Sequence, residues 1–342
     1  MKKLISLLLI LTLFTATLTS CEFFTQKDND DEQKTKISIG FMEGPTGMGM
    51  AKLIHDNGGL NGNSKYEFTK FKDVKDATAA LMAGTVDVAC LPTNNAATIY
   101  NTKDEAVKIL ALNCLNSLFV MTKTGTEISS FGELEGKTIY TISNGTPKVI
   151  LEHLLSQMGI NAIISTKAVI NGNEKDLVQP SDLASALITG SVDIALVPEP
   201  VATAAPLQIK AQEKDYTYTV AIDLSSAWAE ISTTPVAMGC IVGRSAFVDA
   251  NKKAVNSFLE EYKASIEYIS NSENIDDSAT LIVEATVLGA VTAAKKSLTN
   301  LLDQIAYKDG AEMKTILTAF YGSINANLIG GKLPNDNFYY QK

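Results

Sequence analysis

The residues of this chain best suited to chemistry are loops of glycine, hydroxyl and amide groups rather than paired acids and bases. Glu43-Gly44-Pro45-Thr46-Gly47-Met48-Gly49-Met50 follows the apolar run Ile37–Phe41 directly and reads as a strand, a glycine turn and a helix start. The first N–H groups of a helix have no partner inside it, and glycine lets a ligand approach the backbone. Gly44, Thr46, Gly47 and Met48 are therefore candidates for holding an anionic or strongly polar group. Pro45 near the first helical position, with Thr46 as a cap, makes an ordinary helix start equally well. Ser143-Asn144-Gly145-Thr146-Pro147 repeats the arrangement after the strand-like stretch Lys137–Thr141. Thr93-Asn94-Asn95 follows a further strand end, where the Asn amides offer donors and acceptors to a polar ligand or serve turn chemistry. Glu199, between Pro198 and Pro200, could accept from an amine or an aminopyrimidine, or stand as a solvated carboxylate. Trp228 is the only tryptophan, and its setting of Ser225-Ser226-Ala227 and Ala229-Glu230 suits a cleft wall more than an apolar core.

Other chemistries find little support. His55 and His153 are the only histidines and lie far apart, so local spacing builds no metal cluster. Cys90, Cys114 and Cys240 have no C-x-x-C pairing and read as buried free thiols, with one unassignable disulfide as the alternative. There is no Walker loop, no G-x-S-x-G and no G-x-G-x-x-G, and no cofactor is expected. Catalysis is disfavoured. Arg244 is the sole arginine, which removes the usual bidentate clamp for carboxylate or phosphate from nearly every position.

These loops need a scaffold that points them at one place. Ile37–Phe41, Tyr66–Phe71, Val86–Cys90, Lys108–Leu112, Lys137–Thr141, Ser191–Val197 and Tyr218–Ile222 have strand length and composition, and helix-length segments separate several of them. The class is α/β with largely parallel sheets. Towards the C-terminus Val255, Phe258, Leu259, Tyr262, Ile266 and Ile269 share one helical face, as do Met313, Ile316, Leu317, Phe320, Tyr321 and Ile324. An internal echo links Ala80–Pro92 to Ala186–Pro198, with seven identities in thirteen positions. In each copy a glycine ends a helix, Asp87 or Asp193 opens a strand, and a proline follows that strand. Two lobes of similar construction are implied. Ligands of open α/β sheets bind at the carboxyl ends of strands, so two such faces would trap a small molecule between them.

The N-terminus has Lys2 and Lys3 followed by an almost unbroken apolar run from Leu4 to Leu18, the pattern of an export signal. Leu18-Thr19-Ser20-Cys21 resembles the lipobox of bacterial lipoproteins, which implies cleavage after residue 20 and a lipid on Cys21. An uncleaved anchor would equally hold the rest of the chain at the outer surface of the cytoplasmic membrane. Residues 21–35 are polar and charged beyond Phe23-Phe24, a flexible tether by composition. The formal charge of −9 becomes more negative without the two leader lysines, so nucleic acid is not an expected partner.

Together these stretches resemble the periplasmic-type substrate-binding proteins of ABC importers, in the branch that binds sulfonates, nitrate and thiamine precursors. The resemblance runs from Lys36 to the C-terminus. It rests on the Gly44–Met50 turn, Ala83-Gly84-Thr85-Val86-Asp87-Val88-Ala89, Ser130–Ile139, Ser143–Thr146, Gly190–Asp193 with Val197–Pro200, and Cys240–Phe247. It implies a two-lobed type II fold, each lobe a mainly parallel sheet flanked by helices. The first lobe would comprise 36–121 and 241–342 and the second 122–240, joined by a hinge of two strands near 121–125 and 237–243. It also implies a monomer whose partners are a small-molecule ligand, membrane permease subunits and, through Cys21, the membrane itself. The expected ligand positions are Gly44, Thr46, Gly47, Met48, Thr93, Asn94, Asn95, Ser143, Asn144, Gly145, Thr146, Glu199 and Trp228. With Trp228 as a platform and Glu199 facing a ring amine, a flat nitrogen heterocycle such as a thiamine-precursor pyrimidine is favoured over a sulfonate. Enzymes on the same fold make the thiamine pyrimidine or act in menaquinone synthesis; the first carry a cysteine-rich motif absent here, and the export signal argues against the second. The alternative of a different class is a tethered ligand sensor or structural lipoprotein without a transporter.

Overall fold

The computed structural model describes residues 35–143 and 145–342. The leader, the tether with Cys21, and Asn144 lie outside the described residues. Thr35–Lys342 forms a compact unit of its own, built on two five-stranded sheets. In the first sheet β1 (Ile37–Met42) pairs in parallel with β2 (Tyr66–Phe71) and β3 (Val88–Pro92). β4 (Val107–Leu115) stands at one edge. The second sheet takes β5 (Leu118–Lys123), β6 (Thr138–Tyr140), β7 (Ile163–Ser165), β10 (Ile194–Pro198) and β11 (Tyr218–Asp223). Between β7 and β10 lies a hairpin of β8 (Lys167–Ile170) and β9 (Asn173–Asp176), and β12 (Ala237–Arg244) returns to the first sheet. The strand orders are β2-β1-β3-β12-β4 and β7-β6-β10-β5-β11, one topology written twice. Each sheet admits one antiparallel strand from beyond its own repeat: β12 runs between β3 and β4, and β5 between β10 and β11.

The sequence echo is real in three dimensions. The helices Val74–Ala83 and Pro180–Ile188 end at Gly84 and Gly190, both left-handed (φ 75° and 69°), and β3 and β10 follow with the same pattern of burial. The N–H of Arg244, last in β12, donates to the Asp87 carbonyl at 3.0 Å, and that of Lys123, last in β5, to the Asp193 carbonyl at 2.9 Å. Both side chains lie at the carboxyl end of the corresponding helix, where a cation suits the helix dipole: Lys123 Nζ donates to the Gly190 carbonyl at 2.8 Å, and the Arg244 guanidinium lies beside Gly84.

Sheet membership changes at Asn116-Ser117 and again between Asp223 and Ala237. Residue 121, the boundary expected from sequence, falls inside β5, and residue 240 inside β12. The two crossings are tied together: the Asn116 N–H donates to the Val236 carbonyl at 3.0 Å, and the Val236 N–H to Asn116 Oδ1 at 2.8 Å. Asn116 has φ 51°, a conformation Asn tolerates better than most residues.

One apolar core runs through this waist. It joins Leu112, Leu115 and Val242 of the first sheet to Leu118, Val120 and Leu196 of the second, with Trp228 and Phe320 between them. A second core lies under the helix Lys252–Ile269, whose Phe258 and Tyr262 rings stack at 5.7 Å, and a third belongs to the second sheet alone. Both C-terminal helical faces read from periodicity are buried as expected. Burying one large apolar side chain contributes about 1.5–3 kcal/mol. Cys90, Cys114 and Cys240 are free and buried, and burial pushes the Cys90 and Cys114 thiols up to about 12. Among the described residues no helix is long and apolar enough to cross a membrane, and no group of His, Cys, Asp and Glu could hold a metal.

Candidate ligand cleft

Two glycine turns, one per sheet, share one backbone shape. Gly44 (φ 88°, ψ −167°) precedes the short helix Pro45–Met48, and Gly145 (φ 91°, ψ −170°) precedes the helix Thr146–Met158. That region is open almost only to glycine. The similarity stops at their donors. Pro45 has no N–H, and the amides of Gly47 and Met48 both donate to the Gly44 carbonyl at 3.0 Å, so the first turn spends much of its capacity on itself. Thr46 is half-buried at its surface. In the second sheet Thr146 is buried but Gly145 is exposed, Ser143 is half-buried, and the Ser143 N–H donates to the Leu177 carbonyl at 2.7 Å.

Each turn lies against the strand exit of the other sheet. Thr146 Oγ1 donates to Asn94 Oδ1 at 3.1 Å, joining the second sheet's long helix to the helix Thr93–Thr102 that leaves β3 of the first. Gly44 lies against the other sheet as well: a Cβ built there would stand 3.4 Å from Pro200 Cδ and 3.6 Å from the Glu199 carbonyl oxygen. The structure thus sets Thr146 beside Asn94 and Gly44 beside Glu199, each pair spanning the two sheets.

Several expected ligand contacts are otherwise engaged. Thr93 is fully buried; its hydroxyl donates to the Ala237 carbonyl at 2.5 Å, and Tyr321 Oη donates to the Thr93 carbonyl at 2.7 Å. Asn95 Oδ1 accepts from Thr78 Oγ1 at 3.1 Å, on the helix Val74–Ala83. Met48 is packed in the second core. Gly47 is a glycine because a Cβ would overlap the Met42 carbonyl oxygen, a packing reason rather than an open approach for a ligand.

Trp228 does not form the expected platform. It is 2% exposed, its indole N–H donates to the Thr234 carbonyl at 2.8 Å, and its ring sits 5.5 Å from His153 and 6.1 Å from Phe320. Burial lowers the His153 pKa. Small neighbours in sequence signalled tight packing of a helix here, not access. Glu199 is likewise neither solvated nor free: it is 1% exposed, and burial raises its carboxyl above the usual range. Its Oε1 accepts from Asn300 Nδ2 at 2.7 Å and Thr203 Oγ1 at 2.8 Å, and its Oε2 from the Thr203 N–H at 3.2 Å and Ser297 Oγ at 3.3 Å. Ser297 and Asn300 had no sequence signal, being about a hundred residues away on the helix Val291–Leu301. Gly239 was also missed: a side chain there would collide with Thr46 Cγ2, so the bare β12 backbone is what seats the first turn.

A family model described as NMT1/THI5 like matches residues 63–274. Among curated proteins none matches the chain in sequence. Similar solved structures include an ABC transporter from Parabacteroides distasonis, at 17% identity and TM-score 0.70, covering 90% of this chain and 99% of that one. The periplasmic aliphatic sulphonate binding protein SsuA from Escherichia coli aligns at 16% identity and TM-score 0.64, covering 90% and 92%. The periplasmic nitrate-binding protein NrtA from Synechocystis aligns at 16% and 0.55, covering 82% and 74%. At these identities the likeness is one of fold: two α/β sheets, each flanked by helices.

Proposed function

The chain belongs to the NMT1/THI5-like family, and from that membership we propose that it is the solute-binding component of an ABC importer, not an enzyme, capturing a small polar or anionic organic molecule between its two lobes. The observation that carries this reading is the pair of matching glycine turns, each set against the strand exit of the other sheet: Gly44 against Glu199-Pro200, and Thr146 hydrogen-bonded to Asn94. Duplicated strand ends facing one another make a cleft whose polar groups close on a ligand from both sides. Gly44, Thr46, Asn94, Ser143, Gly145 and Thr146 are the ligand positions in this reading, with Asn144 as a further one outside the described residues. They are neutral hydrogen-bonding groups. Arg244 is committed to Asp87 at 2.5 Å, at the far ends of the strands. With Trp228 packed away and Glu199 satisfied, a flat heterocycle loses its two specific contacts, and sulfonates move ahead of it.

The rest of the reading follows from the leader and the fold. Cys21 carries a lipid that holds the monomer outside the cytoplasmic membrane, and closure of the lobes presents a surface to the permease. A thermal-shift screen with alkanesulfonates, nitrate and aminopyrimidines, followed by native mass spectrometry, tests the capture directly. A probe at a hundredfold excess over its Kd stabilises the fold by about 2.7 kcal/mol, and Thr146→Val should weaken its binding without unfolding the protein. If no probe of the three classes shifts the transition of a well-folded sample, this reading fails.

A further inference from the structure

Four donors converge on Glu199, and a carboxylate offers about four lone-pair sites. An ionised carboxylate satisfies all of them at once, whereas a protonated carboxyl or a Gln must donate back to one of the hydroxyls, Thr203 Oγ1 or Ser297 Oγ. No capacity is left for a ligand amine. The four donors also have different origins. The Thr203 N–H and hydroxyl belong to the helix Val201–Ala211 that Glu199 itself precedes, where the carboxylate caps the first turn and suits the helix dipole. Ser297 and Asn300 belong to the helix Val291–Leu301, whose Ala294, Leu298 and Leu301 are packed with the first sheet in its second core. The carboxylate is therefore fixed to the second lobe by one pair of bonds and reaches the first lobe by the other.

We propose that Glu199 is a latch between the lobes, engaged by Ser297 and Asn300 only when the cleft is closed, so that it sets the open-to-closed balance without touching the captured molecule. This deepens the proposed capture and rests on it for its purpose. Hydrogen bonds to a charged group are among the stronger ones, yet an opened cleft returns the carboxylate to water, so the gain on closing is a small difference between large terms. A balance of that kind is easily tipped by a ligand. The position is right for coupling, because Gly44 of the first turn packs against the Glu199-Pro200 backbone. Thr93, the equivalent position of the first lobe, brings no carboxylate and bonds to Ala237 and Tyr321, so the charged latch has no counterpart there.

Small-angle scattering of the ligand-free protein reads the latch without any ligand. Asn300→Asp sets a second carboxylate beside Glu199 Oε1 and should enlarge the radius of gyration at neutral pH. Glu199→Gln combined with Asn300→Asp exchanges amide and carboxylate and should restore the wild-type profile, which mere loss of packing would not do. Should Asn300→Asp fold poorly, Asn300→Ala removes the same donor and should also expand the protein. Wild-type profiles for both single variants, or a double variant as expanded as Asn300→Asp, would overturn the latch. Failure here leaves ligand capture standing, whereas an empty ligand screen with a working latch would strike at capture alone.

Discussion

The two lobes repeat one frame and part company at its ends. At the amino ends of the strands, Arg244 and Lys123 occupy matching places beside Gly84 and Gly190, but Asp87 also accepts from Arg244, at 2.5 Å, and from the Ser38 hydroxyl and amide, while Asp193 is exposed. At the carboxyl ends, β3 runs through Pro92 straight into a helix whose Asn94 accepts from Thr146 of the other lobe, whereas β10 interposes Glu199 and Pro200 before its helix and reaches the other lobe through a carboxylate. The shared frame is what packing requires of a buried sheet. The divergence sits where the lobes meet each other or the solvent, and there the first copy reaches across with an amide and the second with a carboxylate.

The glycine turns give the strongest way to break this comparison. Gly47→Val forces a side chain into the Met42 carbonyl and should cost about 3 kcal/mol in urea unfolding. Gly145→Ala meets nothing nearer than Pro147 Cδ at 3.8 Å and should cost only the backbone term, about 1–3 kcal/mol. Equal costs would mean that the first turn is not held against β1 as described. At the opposite ends, Asp87→Asn should lose about 1 kcal/mol through its partly buried pair, and Asp193→Asn close to nothing. A matching loss at both aspartates would erase the asymmetry.

The smallest effect is one of pH. Burial raises the Glu199 carboxyl, and the opened latch proposed above would return it to water and towards its ordinary value. The closed form then binds more protons, so acidification favours closure: the contribution is complete below the ordinary carboxylate pKa and is lost as pH rises through the raised one. Scattering profiles of the wild type should tighten slightly on acidification in that window, and those of Glu199→Gln should not. An identical response in both would assign the effect to other carboxylates.

Much of the frame was legible because its signals are local. Tyr66–Phe71 was read with its observed bounds, and β3 and β10 were found through the echo even though their starts lay a few residues further on. β5 was hidden because only Asn116 and Ser117 separate it from β4, so the chain from Val107 to Lys123 presents one apolar run with no length cue. The contacts of the cleft were less legible. Thr93 and Asn94 are neighbours of similar chemistry, yet one is spent on Ala237 and the other faces Thr146, a distinction made by helix phase and distant partners. Glu199 looked available because Ser297 and Asn300 lie far along the chain, and nothing in a run of ordinary helix residues announces a hydrogen bond to a carboxylate about a hundred positions earlier.

Trp228 lies where the two sheets share a core, held between His153 and Phe320. A lone indole in that place is a built-in optical gauge of the waist. Its fluorescence should be blue-shifted, as befits a dry site, and should respond when the lobes turn about Asn116 and Val236 rather than when a ring stacks on it. A change in emission on adding a solute would then report bending, whatever the solute's shape, and an aliphatic molecule with no chromophore would be as visible as an aromatic one.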